Sequence, residues 1–432
     1  MVATHLLALA ASLTAASAQA IQGFNTGNTF VNGAAKVQSD FEAEMTAAQN
    51  LAGTDGSFTN FRLYTMVQAG TTNTPISAIP AAIDTDTGLL LGLWASAGQA
   101  VFDNELAALR SAIQQYGSDF TSRVIGISVG SEDLYRISPT GIANEAGIGA
   151  GPDVIANYIR QVREVIAGTP LSGAGVGHVD TWTAWVNGSN SAVVQAADWV
   201  GMNAFPYFQA EVGDNSIEQG GPLFFDAYDA TVGAVGGKPV WITETGWPYQ
   251  GPTVGVADAS VDNAQSYWNQ VACKVLGNIN TFWYTLRDAN AANKASFGIL
   301  GNDLDASSPQ WDLSCAAENT TSTSTSASST ATATGGAGGR GGNGNGNGAS
   351  TTEDSGLTAT PVPIPTNVNG SMTLFPTGGA TGGATGGSSS NPTGSTGPTP
   401  TSPPIFEGAA TISKVDGAML LGAIAGLALF AF

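Results

Sequence analysis

Residues 238–251 read KPVWITETGWPYQG. Val240, Trp241 and Ile242 are apolar or β-branched, the composition of a buried strand. The run then ends on Glu244, set between Thr243 and Thr245 and followed by Gly246, Trp247 and Pro248. A carboxylate taken out of water without a partner costs several kcal/mol or takes up a proton. A buried strand that ends on glutamate therefore marks a place where that group has a task.

A second stretch has the same design. RVIGISVGSE, residues 123–132, ends on Glu132. Six more β-rich stretches recur along the chain: IQGFNTG from 21, FTNFRLYTM from 58, GLLLGLWAS from 88, LSGAGVGHVDTW from 171, ADWVGMNAFPYF from 197 and INTFWYTLRDA from 279. Helix-like segments lie between several of them. NELAALRSAIQQYG (104–117) has apolar residues at helical spacing and ends at glycine. PDVIANYIRQVREVIAG (152–168) opens with proline and closes with glycine, and VDNAQSYWNQVACKVLG (261–277) offers Asp262 as a cap. Strands buried on both faces and alternating with helices are the pattern of parallel βα units. Eight of them predict an α/β fold, a (β/α)8 TIM barrel over residues 21–318. The rival is an open doubly wound sheet, which lacks support because no glycine-rich phosphate loop follows the first strand.

In such a barrel the active site gathers at the C-terminal ends of the strands. Glu132 and Glu244 end the fourth and seventh, so the two carboxyl groups share one rim. Paired carboxylates are the machinery of glycoside hydrolysis, one giving a proton to the leaving oxygen and the other attacking the anomeric carbon or activating water. The other strand ends carry side chains suited to sugars: Tyr64, Ser131, Asp180, Trp182, Asn203, Tyr207, Trp247 and Trp283. Flat rings cover the C–H face of a pyranose while phenol, indole and amide groups hydrogen-bond its hydroxyls. His178 reads as a packed or surface residue. No Cys/His or Asp cluster suggests a metal, and no cofactor motif is present.

The ends of the chain read differently. Residues 1–20 contain a short apolar run and finish Ala18-Gln19-Ala20, the form of a secretory signal, with cleavage after Ala18 fitting equally well. Residues 319–407 are dominated by Ser, Thr, Gly and Pro and are expected to form a disordered, glycosylated stalk. Residues 408–432 combine the small triplet Gly408-Ala409-Ala410, a polar spacer and an apolar tail, which fits a GPI-attachment signal on Gly408; a C-terminal membrane span is the alternative. Asn187, Asn319 and Asn369 begin N-glycosylation sequons. The two cysteines, Cys273 and Cys315, should pair outside the cell. The formal net charge of −20, of which about −18 falls on the folded part, argues against nucleic acid and suits a neutral substrate. The expected setting is the extracellular face of a cell membrane, through the GPI anchor, and the cell wall, as a monomer.

VGSEDLYR around Glu132 and WITETGWP around Glu244 resemble the acid/base and nucleophile motifs of glycoside hydrolase family 17, and most closely those of fungal GPI-anchored glucan endo-1,3-β-glucosidases. The resemblance spans nearly the whole chain. It implies a retaining barrel enzyme acting on β-1,3-glucan, with Glu132 as proton donor, Glu244 as nucleophile, Tyr64 on the sugar-contacting rim and Tyr207 orienting the nucleophile. One position departs from the pattern. The wider clan has asparagine before the acid/base, contacting the sugar 2-hydroxyl, and this chain has Ser131. Three functions fit these residues: a hydrolase, a glucanosyltransferase using the same glutamates, and a glucan-binding wall glycoprotein without turnover.

Overall fold

The computed structural model describes residues 20–289 and 294–315. The leader, the stalk, Asn319, Asn369 and Gly408 lie outside the described residues. Eight strands run in parallel and close into a barrel in sequence order: β1 (Gln22–Thr26), β2 (Asn60–Leu63), β3 (Gly88–Leu93), β4 (Val124–Ser131), β5 (Val176–Thr181), β6 (Val200–Asn203), β7 (Val240–Glu244) and β8 (Thr281–Trp283). Each falls inside one of the eight stretches read from the sequence. Closure is sealed by β1 pairing with both β2 and β8.

The side chains alternate between lumen and helical layer. Leu90, Val179, Trp199 and Phe282 form one buried cluster inside the barrel, against which Trp241 packs. The Trp199 and Trp241 rings stack with centroids 4.4 Å apart. Room for them comes from Gly177, where a β-carbon would lie 2.5 Å from the Trp199 ring. The opposite faces of the strands meet the helices in the main core. The helix Pro152–Ile166 shows how sequence sets this layer. Pro152 starts it, and Ile155, Tyr158, Ile159, Val162 and Ile166 recur at helical spacing and are buried. Tyr158 stacks on Phe102 of the helix Gln99–Thr121 at 3.9 Å.

Helix boundaries differ from the sequence reading in two places. The helix Gln99–Thr121 continues past Gly117, which adopts φ +53° and kinks it rather than ending it. The segment from 261 is capped by Ser260, whose hydroxyl accepts from the Asn263 N–H, and not by Asp262; it passes through a π-helical turn at Trp268–Ala272. Cys273, which follows that turn, is bonded to Cys315.

Candidate active site

Two register shifts decide where the glutamates point. Along β4 and β5, Ser128 faces Gly177 but Ser131 faces Val179, so three steps on one strand match two on the other. Along β6 and β7, Met202 faces Ile242 and Asn203 faces Glu244, which again leaves one extra residue. A bulge re-aims the side chains beyond it. Each bulge lies just before a glutamate. In β4 the backbone then turns sharply, with Gly130 at φ +78° and Glu132 itself left-handed at φ +60°. The left-handed conformation costs a residue with a β-carbon about 1–2 kcal/mol. The surroundings hold it there: the Glu132 N–H donates to the Val179 carbonyl (2.9 Å) and its carbonyl accepts from Arg136 N–H (3.0 Å).

Glu132 and Glu244 meet in one buried polar cluster, 2 % and 0 % exposed. Arg62 donates to Glu244 Oε1 at 2.5 Å, and the Tyr64 hydroxyl donates to the same oxygen at 3.1 Å. Arg62 also donates to Asn25 Oδ1 (2.8 Å) and Ser131 Oγ (3.0 Å), while its guanidinium lies over the Tyr64 ring at 4.6 Å. Asn203 donates to Glu132 Oε1 (3.0 Å) and accepts from the Thr243 hydroxyl (2.8 Å). The cluster thus draws on β1, β2, β4, β6 and β7. Each glutamate keeps one oxygen outside this web: Oε2 of Glu132 and Oε2 of Glu244 accept no hydrogen bond among the described residues.

The environments of the two carboxyl groups differ. Burial, and then the charge of Glu244, push Glu132 up to about 8. Burial raises Glu244 too, but the charge and hydrogen bond of Arg62, with the Tyr64 hydroxyl, pull it back. Arg62 is in direct contact with Glu244, whereas Glu132 takes the neutral amide of Asn203 and feels the charge of Arg136 as a smaller downward pull. Tyr64 is held well above its ordinary value, by burial first and by Glu244 next, so it stays a hydrogen-bond donor.

The structure brings Tyr64, Ser131, Asn203, Glu132 and Glu244 together, and sets four other residues read as site candidates apart from that cluster. Asp180 points outward from β5 and is fully buried, its oxygens filled by the N–H groups of Thr181, Leu134 and Tyr135 and by His178. Trp283 faces the helices, where its ring meets Trp268 at 4.9 Å and Tyr267 at 5.9 Å. Trp247 is buried against Tyr207 and Tyr267 and donates to the Asp258 carbonyl (2.9 Å). Tyr207 gives its hydroxyl to the Pro252 carbonyl, and Tyr64 is the phenol on Glu244. Trp182, on the turn after β5, is half-buried. Asn187 is exposed. Sequence reasoning missed Arg62 and Asn25. The signal for Arg62 was its place in FTNFRLYTM, two residues before Tyr64 and so on the same strand face.

Known proteins resemble this chain in sequence and in fold. The sequence model of a family described as the BtgE/BtgC glycoside hydrolase domain matches residues 23–300. The Aspergillus fumigatus protein named "Probable glucan endo-1,3-beta-glucosidase eglC" is 56 % identical over 319 residues, covering 74 % of this chain and 70 % of the relative. The crystal structure of a glycoside hydrolase family 17 β-1,3-glucanosyltransferase from Rhizomucor miehei superposes with a TM-score of 0.54 at 27 % identity, over 68 % of this chain and 98 % of that one. An active-site mutant of the same enzyme, in complex with laminaritriose, superposes with a TM-score of 0.53 at 26 % identity, over 68 % and 98 % of the two chains. The chain belongs to the BtgE/BtgC glycoside hydrolase family.

Proposed function

We propose that this glycoside hydrolase cleaves β-1,3-glucan by double displacement, with Glu132 as acid/base and Glu244 as nucleophile. The observation that carries the assignment is the unequal partnering of two buried carboxyl groups. Arg62 sits on Glu244 alone, which favours the carboxylate there, and its charge in turn favours the protonated form of Glu132. Glu244 Oε1 is occupied by Arg62 and Tyr64, so Oε2 attacks the anomeric carbon. Glu132 Oε2 carries the proton to the departing glycosidic oxygen, while Oε1 is held by Asn203. A glycosyl ester on Glu244 results. Glu132, now a carboxylate, takes a proton from water, which attacks the same carbon and frees Glu244. Support for the glucan comes from the name of the Aspergillus relative and from the laminaritriose complex of the Rhizomucor enzyme.

The Rhizomucor enzyme's name supports a second outcome, in which another sugar replaces water as acceptor. One experiment tests both. The protein is incubated with a reduced β-1,3-gluco-oligosaccharide and the products are sized over time. Shorter products alone mean hydrolysis, and products longer than the substrate mean transfer. Glu244→Gln should abolish both while leaving the fold intact; a variant that keeps most of its activity refutes the assignment. An extracellular site of action is the accompanying proposal, supported by the leader-like residues 1–20 and by the Cys273–Cys315 bond, which persists in oxidising compartments. Attachment to the membrane through Gly408 is proposed from the sequence of the last residues.

A further inference from the structure

A buried ionic pair lies behind Glu132, on the side of β5 that faces the helices. His178 and Asp180 are both fully buried. His178 Nδ1 is 2.6 Å from the Val129 carbonyl oxygen, and Nε2 is 3.0 Å from Asp180 Oδ2. A carbonyl can only accept. Asp180 takes three backbone N–H groups, from Leu134 (2.9 Å) on Oδ2 and from Tyr135 (3.2 Å) and Thr181 (2.8 Å) on Oδ1, the surroundings of an ionised carboxylate. A neutral imidazole has one donor and one acceptor, so two acceptors require protons on both ring nitrogens. Trp185 closes the ring edge-on at 5.6 Å. The other titratable groups nearby are Asp133, which accepts from Ser96, Arg136, which donates to Ser96, and Glu132. Burial lowers the affinity of His178 for its proton, but the hydrogen bond and charge of Asp180, with Asp133, outweigh that and leave it raised.

The position of this pair gives it a purpose. Leu134 and Tyr135 belong to the short helical turn Asp133–Arg136 that begins directly after Glu132. Glu132 is tied on its other side to Val179, the residue between His178 and Asp180. The left-handed turn at Glu132 is therefore clamped between the backbone of β5 and one side chain of β5. We propose that Asp180, locked by the imidazolium of His178, is a positioning residue that fixes this turn and so aims the Glu132 carboxyl at the departing oxygen.

This rests on Glu132 being the proton donor, and the test separates the two. A dinitrophenyl leaving group departs without protonation, so loss of the acid or of its aim spares dinitrophenyl β-laminaribioside while slowing a reduced β-1,3-gluco-oligosaccharide. In both cases kcat/KM reports the first displacement. Glu132→Gln should lose about 10²- to 10⁴-fold on the oligosaccharide and little on the dinitrophenyl glycoside. Asp180→Asn should lose at least about tenfold on the oligosaccharide and under about threefold on the dinitrophenyl glycoside, a fraction of the full acid effect. A Glu132→Gln variant without the split overturns the reading of Glu132 and this proposal with it. A clear split in Glu132→Gln but equal losses in Asp180→Asn overturn this proposal alone. A second measurement needs no folded Asp180 variant. The chain has two histidines, His5 and His178, so ring-nitrogen NMR of the unmutated protein at neutral pH can be resolved. The expected result is a His178 ring protonated on both nitrogens; a neutral ring overturns the clamp.

Discussion

Replacing Arg62 with methionine would remove the cation from Glu244 and leave a chain of similar reach. In the native site the guanidinium sits 2.5 Å from Glu244 Oε1, with both side chains 1 % exposed. An opposite charge at that range lowers a carboxyl by about one to three pKa units. Its loss should therefore move the acidic limb of the kcat/KM profile upward by about one to three pH units. The alkaline limb, set by Glu132 at about 8, should move far less. The two limbs converge, the bell narrows and its maximum falls, because less enzyme holds Glu132 protonated and Glu244 ionised together. Stability should respond as well. Breaking a buried pair by removing one partner costs about 3–5 kcal/mol. That cost should be largest above neutral pH and smaller in acid, where the stranded Glu244 can take up a proton. The assay is a pH–rate profile on a reduced β-1,3-gluco-oligosaccharide beside urea unfolding at two pH values. An Arg62→Met enzyme with an unmoved acidic limb and native stability would refute the reasoning.

Other expectations are simpler. Burial raises both Glu105 and Glu132 to about 8, whereas an unfolded glutamate titrates at about 4.3. Between those values the folded chain holds protons that the unfolded chain has released, so stability should fall as pH rises through that window and level off above about 8. Glu105, which accepts from Thr65 and Met66, takes no part in the reaction, and Glu105→Gln should flatten the dependence; an unchanged slope of urea midpoint against pH counts against it. Changing both Cys273 and Cys315 to serine opens a loop of 42 residues and should cost about 4 kcal/mol by chain entropy, measured by urea unfolding under non-reducing conditions. Gly130→Ala combines a left-handed backbone with a clash against the Asp133 carboxylate, and should lower both activity and melting temperature by calorimetry.

The barrel was legible because several strands, GLLLGL of β3 and VIGISV of β4 among them, leave largely apolar runs at a βα spacing, and glutamates close two of the eight stretches. The site was only half legible, because period-two alternation tells which side chains share a face until a bulge intervenes. Trp283 stands at a strand end yet faces the helices, and nothing in INTFWYTLRDA distinguishes Phe282, which enters the lumen, from Trp283, which leaves it. Trp247 lies beyond the bulge of β7, where the alternation has already slipped. Arg62 went unread for the opposite reason. A lone cation in an apolar strand has no meaning until its carboxylate, 182 residues away, is folded against it. Asp180 shows the same limit, since its value lies in three backbone N–H groups that no side-chain pattern announces.

The bond between Cys273 and Cys315 has a mechanical side. Tension on the chain beyond Cys315, with the barrel gripped by a polysaccharide, would cross the sulfur bridge to Cys273 and bypass everything between. That shielded stretch contains β8, the strand that closes the barrel against β1. An unprotected chain would surrender its last stave first, and the barrel would open at the seam beside Asn25 and Glu244. With the bridge in place the load enters through the helical layer, and the seam carries none of it.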